Sequence, residues 1–198
     1  MTALACFLIA GLLRCVVVQQ GTFCINSLCH MIGRQPYSTS HSARDSAAVA
    51  LLTFGEGYHN YHHEFQHDYR NGVKAWQYDP TKWIIWTLSK VGLVEDLRRV
   101  PDSRIMAAEL KEKSLTLGKD IDSLASRLDA RTRELKAKTI AAAHELAKEL
   151  AHRAEALKEA AANKAEVAHE TMVELRALLN QAAGHLETLR RADAGSAA

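Results

Sequence analysis

The sequence predicts an all-α chain with one membrane-spanning helix, a small helical histidine-box region, and a long C-terminal amphipathic helix or helical hairpin. Three observations carry this. Ala3 to Val18 is almost wholly apolar, broken only by Arg14. Four of the 10 histidines crowd into residues 59–67. Residues 102–198 carry 16 basic and 16 acidic residues, abound in Ala and Leu, and contain no Trp, Tyr or Phe, a composition of strong helix formers. The expected divisions of the 198-residue chain are 1–33, 34–101 and 102–198. The balance of 25 Lys+Arg against 23 Asp+Glu excludes a strongly basic surface and an acidic disordered tail, so no nucleic-acid partner is expected. Four Cys in a chain this long do not make a disulfide framework.

A bilayer-spanning helix needs roughly 20 apolar residues. Gln19 and Gln20 come early, but Phe23, Cys24, Ile25 and Leu28 continue the apolar pattern. One helix from about Thr2 to His30 is therefore expected to span, its last turns emerging into water. Arg14 then has to snorkel or face a protein partner. A secretory signal fits badly, since no basic residue precedes the apolar run and no small-x-small cleavage site follows cleanly. A buried soluble helix is the remaining alternative. Cys6, Cys15, Cys24 and Cys29 lack C-x-x-C spacing and read as apolar fillers.

The middle piece holds H-x-x-H-H at His59, His62 and His63. On a helix, positions i, i+3 and i+4 share a face, so three imidazoles are expected to converge. Neutral imidazole suits iron, zinc, copper or nickel. Tyr58, Asn60 and Tyr61 flank the box as candidate hydrogen-bond partners for its imidazoles. Asn26 and His30, four apart at the end of the apolar helix, join the same centre if that helix end meets the box. A competing motif is His63-Glu-Phe-Gln-His67, which satisfies H-E-x-x-H: a zinc metallopeptidase would bind metal through the two His and use Glu64 as general base. Its third ligand would have to be Glu95 or Asp96, and Asn71-Gly72 stops the helix soon after. Further on, Asp79 reads as an N-cap with Pro80 in the first turn. It opens a short amphipathic helix over Trp83–Val91 that suits a membrane surface. Trp76, Tyr78, Trp83 and Trp86 suit packing or the bilayer interface.

From Pro101-Asp102 to about Ala192 the chain stays helical in character. Leu124, Leu135, Leu146 and Leu157, continued by Ala168 and Leu179, recur every 11 residues, with Leu128, Leu150, Ala161 and Met172 as i+4 neighbours. Such a repeat gives a nearly straight stripe. A coiled-coil or scaffold role with a helix partner for residues 102–192 is expected. His144, His152, His169 and His185 read as solvated surface residues. Gly184 is expected to loosen the helix, and residues 192–198 to fray.

Asn26-Ser-Leu-Cys-His30, then Gly33-Arg-Gln-Pro36-Tyr37, then GEGYHNYHHEF, DYRNG and QYDPTKW resemble the C-terminal part of membrane-bound acyl-CoA (stearoyl-type, delta-nine) fatty acid desaturases. The resemblance covers roughly residues 1–100. It implies an oxygen-dependent oxidoreductase of fatty acid biosynthesis that introduces a cis double bond into an acyl-CoA chain at a di-iron centre. It further implies that His59, His62 and His63 are direct iron ligands, that His30 is an additional ligand, and that Asn26 holds a metal-bound water. The implied partners are membrane lipid, the fatty acyl-CoA substrate and an electron carrier of cytochrome b or ferredoxin type. The implied place is a membrane, with the histidine box and the C-terminal helix cytoplasmic. The run HEFQHDYRNG is similar to bacterial members of the family, so under this resemblance His67 and the H-E-x-x-H match are incidental. The family also carries four membrane helices and two earlier boxes, H-x(4)-H and H-x-x-H-H, and neither earlier box is in this sequence. A truncated or mis-started product, or one piece of a split protein, inactive by itself, is the expectation. The alternatives are a membrane-anchored helical interaction protein with a vestigial metal box, and the zinc metallopeptidase.

Overall fold

The computed structural model describes residues 2–128, 130–162 and 169–196. The chain forms two compact units, 1–100 and 101–198. Among the described residues the regular elements are helical, as the sequence predicts.

The first unit opens with α1, Ala3–Met31, 29 residues long, of mean hydropathy 1.9 in its most apolar window, none of which is buried. The Thr2 hydroxyl accepts from the N–H of Ala5 and starts it. The helix widens to a π geometry over Phe7–Leu13 and ends where Ile32 turns extended. At 1.5 Å per residue it is roughly 43 Å long, longer than a roughly 30 Å hydrocarbon core. Leu8, Leu12, Val17 and Phe23 are all exposed on it.

Beyond α1 the chain reverses at Gly33, whose φ is +130° and where a Cβ would stand 2.4 Å from the carbonyl oxygen of Asp45. Glycine thus permits the antiparallel bridge between Arg34 and Asp45, closed by backbone bonds of 3.0 and 2.7 Å. Helix α2, Ala47–Leu52, is capped by the Ser46 hydroxyl. Gly57 lies flush against it: a Cβ there would sit 2.1 Å from the Ala50 nitrogen. That close approach delivers the chain into α3, His59–Glu64. Helix α4, Pro80–Lys90, starts as expected, with Asp79 accepting from the N–H of Lys82 and Pro80 in the first turn. Asp79 is fully buried, and its other oxygen accepts from the N–H groups of Asn71 and Gly72 at 2.9 and 2.8 Å. One carboxylate therefore fixes both the helix start and the Asn-Gly turn. Trp83, Ile84 and Trp86 remain exposed on α4.

The second unit is neither one long helix nor a hairpin. Among its described residues it has three helices: α5, Asp102–Arg127; α6, Ala130–Ala162; and α7, His169–Ser196. The first break falls at Leu128, which is extended and buried. The Arg133 guanidinium donates to the carbonyls of Ala125, Ser126 and Leu128 there, satisfying a helix end that otherwise lacks partners. An Ala-rich stripe offers little apolar area per turn, and three helices bury it where one partner would not. The core includes Leu110, Leu117, Ile121, Leu150, Leu157, Leu175 and Leu189. Leu124 and Leu157 of the 11-residue series are buried, while Leu146 and Leu179 are half-buried. The side chains of Leu135, Ala161, Ala168 and Met172 lie outside what the structure describes. His144 is not merely solvated: its Nε2 lies 2.9 Å from Asp122 and links α6 to α5. Helix α7 runs unbroken through Gly184 to Ser196; residues 197–198 lie outside the described residues.

Candidate metal centre

The last turn of α1 and the whole of α3 bring three imidazoles to one point. His59 Nε2 lies 3.2 Å from His30 Nε2 and 3.1 Å from His63 Nε2. One nitrogen from each of the three lies within 4.8 Å of the others. Nitrogens bound side by side to a single ion at about 2.0–2.1 Å stand about 2.9–3.4 Å apart, which is the spacing from His59 to each of the other two. His30 Nδ1 is 2.8 Å from the Ser42 hydroxyl, so its other nitrogen is the one turned to the cluster. His59 is 6% exposed, and its Nδ1 is sealed from solvent without a partner. Burial, then the neighbouring His63, His30, His62 and His41, hold the His59 imidazolium down to about 4. Burial, then His41, His30 and His62, depress His63 too. Both rings are neutral at physiological pH, the form that ligates metal.

Helix α3 does not cap itself, for Tyr58 at its N-cap supplies no side-chain bond. Asp45 does so from 15 residues upstream, its Oδ1 accepting from the N–H groups of Asn60 and Tyr61 at 2.8 and 3.2 Å. Burial outweighs those two bonds and nearby Lys74, and pushes the Asp45 carboxyl up to about 6. Asn60 and Tyr61 do not hold the imidazoles, contrary to the sequence expectation. One residue further along a helix points about 100° away, and both side chains leave the cluster. Asn60 Oδ1 accepts from the N–H groups of Tyr37 and Ser38, while its Nδ2 donates to the carbonyls of Ser38 and Ala43. Tyr61 donates its hydroxyl to Asp68 at 2.8 Å. Asp68 also accepts two bonds from the Arg70 guanidinium and one from the N–H of Val100. Burial alone would raise the Asp68 carboxyl, but Arg70 and these N–H and hydroxyl donors hold it below the usual range. The motif DYRNG is thus a strut under the box.

His62 does not join the three-nitrogen cluster. Positions i+3 and i+4 fall on opposite flanks of i, and His30 meets the His63 flank, at 5.5 Å between ring centroids. The His62 ring lies nearly parallel to His59 at 6.0 Å. Asn26 is exposed one turn before His30 on α1. The H-E-x-x-H reading fails on geometry. Helix α3 ends at Glu64, so His63 and His67 share no helical face, and Glu64, His67, Glu95 and Asp96 are all solvent-accessible. Sequence reasoning missed His41. Its ring centroid is 5.2 Å from that of His63, and both of its nitrogens are buried without a partner. A single histidine in a Ser-rich loop carries no periodic signal that would have marked it.

No family model matches the chain. A stretch of 110 residues, 56% of this chain and 22% of the relative, is 50% identical to acyl-CoA desaturase 1 of Saccharomyces cerevisiae. Over 108 residues, 54% of this chain and 22% of the relative, it is 47% identical to the probable acyl-CoA desaturase of Schizosaccharomyces pombe. Over 99 residues, 50% of this chain and 28% of the relative, it is 36% identical to human stearoyl-CoA desaturase. Over about half its length, the chain is related to the acyl-CoA desaturases. It spans between a fifth and a third of the length of these relatives. The resemblance read from the Asn26–His30 pair and the histidine box is therefore correct at the level of family. The donor set of the cluster is also one that a metal-dependent oxidoreductase can use.

Proposed function

We propose that this chain contributes the last histidine box of an acyl-CoA desaturase. In this reading His30, His59, His62 and His63 ligate a di-iron centre, and Asn26 reaches it through a water. The reading rests on one observation above all: three imidazole nitrogens from α1 and α3 converge within 4.8 Å of one another, two of them at 3.1 and 3.2 Å from His59. An all-imidazole shell leaves bound metal cationic and electrophilic, suited to oxidant chemistry rather than acid–base hydrolysis. When bound, the iron pair supplies the dioxygen activation that desaturation of a fatty acyl-CoA requires. The protein's own part is to aim the nitrogens. Ser42 sets the orientation of His30, Asp45 anchors the start of α3, and the Tyr61–Asp68–Arg70 strut holds the far side of that helix. Burial keeps His59 and His63 unprotonated for the metal.

In this reading α1 spans a membrane, with the histidine box and the C-terminal helices on the cytoplasmic side, a reading supported by the length and apolar character of α1. There an acyl-CoA and an electron carrier of cytochrome b or ferredoxin type have access. Four imidazoles do not fill the coordination spheres of two irons, so the chain by itself does not turn over. The test is metal content after expression in iron-rich medium. At most one iron per chain is expected for the isolated chain, rising when a polypeptide carrying H-x(4)-H and the other H-x-x-H-H is co-expressed. Two irons held by the isolated chain, or no rise with the complementing polypeptide, would contradict the proposal.

A further inference from the structure

We propose that His41 is a further ligand of the centre, so that this chain by itself holds one divalent transition-metal ion through His30, His41, His59 and His63. The inference rests on reading the three-imidazole cluster as a metal site, and adds to it a residue outside the box and outside both helices that carry it. Both ring nitrogens of His41 are shut off from solvent with no hydrogen-bond partner. An imidazole sealed in that way is costly unless something binds it. Its ring packs on His63 at 5.2 Å between centroids, tilted by 40°. The residue that follows it, Ser42, holds His30 Nδ1 at 2.8 Å. The loop carrying these two residues therefore touches two of the three cluster imidazoles. It is itself fastened: the His41 carbonyl accepts from the Gln35 side chain, and the carbonyl of Ala43 accepts from Asn60.

Three imidazoles leave an ion such as Zn²⁺ or Co²⁺ one position short of its four-coordinate shell. Neither His62 nor His41 is within the three-nitrogen group as it stands, but the His62 ring lies nearly parallel to His59 at 6.0 Å, while only His41 has both ring nitrogens buried without a partner. His41 is beside the group and unengaged. Loading would turn its ring from packing against His63 to sharing the ion of His63.

The experiment uses the full chain in detergent, titrated with Zn²⁺ for affinity and with Co²⁺ for its visible ligand-field bands, together with X-ray absorption of the Zn²⁺ form. Four imidazoles per metal are expected in the native chain. His41→Ala should lower the count to three, alter the Co²⁺ bands and weaken binding about tenfold to hundredfold. His41→Gln, which keeps the bulk of the loop, should do the same, and His67→Ala, at an exposed position in the same region, should change nothing. An unchanged imidazole count and affinity in both His41 variants, with binding lost in His59→Ala, would overturn the role of His41 alone. Undiminished binding in His59→Ala would overturn the metal-centre reading beneath it.

Discussion

Replacing Asn60 with aspartate alters a single side-chain group and should unfasten the histidine box from its loop. Asn60 is fully buried. Its Oδ1 accepts from the N–H groups of Tyr37 and Ser38 at 2.9 and 3.3 Å, and its Nδ2 donates to the carbonyls of Ser38 and Ala43 at 2.7 and 2.9 Å. Both donors and both lone-pair directions are thereby used. Aspartate keeps the two acceptances and converts the two donations into oxygen–oxygen contacts. Each buried carbonyl left without its donor costs about 1–3 kcal/mol, and a buried carboxylate adds its own desolvation. The expected loss is about 3–5 kcal/mol, a large share of the roughly 5–15 kcal/mol that holds an ordinary domain together. Urea unfolding followed by Trp fluorescence reads this in the right place, because Trp76, Trp83 and Trp86 all lie before residue 101. The deficit of Asn60→Asp should shrink as pH falls, since the introduced carboxyl regains one donor on protonation, whereas the deficit of Asn60→Ala should not. A loss below about 1 kcal/mol, or a deficit as insensitive to pH as that of Asn60→Ala, would refute this reasoning.

Three other outcomes follow from the same structure. Asp45 has a folded-state carboxyl pushed up to about 6 from 3.8, so native stability should fall as pH rises between those values and level off above; Asp45→Asn should flatten that slope in thermal melts between pH 4 and 7. Asp68→Ala should cost about 3–5 kcal/mol by removing the buried carboxylate that accepts from Tyr61, Arg70 and Val100, read by the same Trp fluorescence. Because the Asp68 carboxyl is depressed below 3.8, its contribution in the native protein should be complete above that pH and disappear on further acidification. Leu150→Ala, at a fully buried core position of the second unit, should cost about 2–5 kcal/mol, measured by far-UV circular dichroism on melting.

What the sequence made legible was local chemistry with a period. Ala3–Met31 announces itself by hydropathy, Asp79-Pro80 by capping rules, and His59 with His63 by helical spacing. What escaped it depended on distant partners. His62 matches the same spacing, yet His30 arrives on only one flank, and nothing in a linear spacing says which. Asn60 and Tyr61 looked like props for the imidazoles but face the opposite way, toward a loop and a strut that only the fold supplies. The cap of α3 comes from Asp45, across a bridge that exists because Gly33 allows it. In the second unit the helix formers were plain, but the extended Leu128 that splits α5 from α6 carries no proline or glycine to mark it. His41 was invisible because its meaning lies wholly in what it packs against.

The most direct test of the account is a Zn²⁺ titration of the full chain followed by ¹⁵N-edited NMR of its histidine imidazoles. The account predicts that the ring nitrogens of His30, His59 and His63 shift together, at one equivalent or less, while His144, His152 and His185 stay in place. Shifts that begin in the histidines of the second unit, or a His59 ring that does not respond, would contradict it.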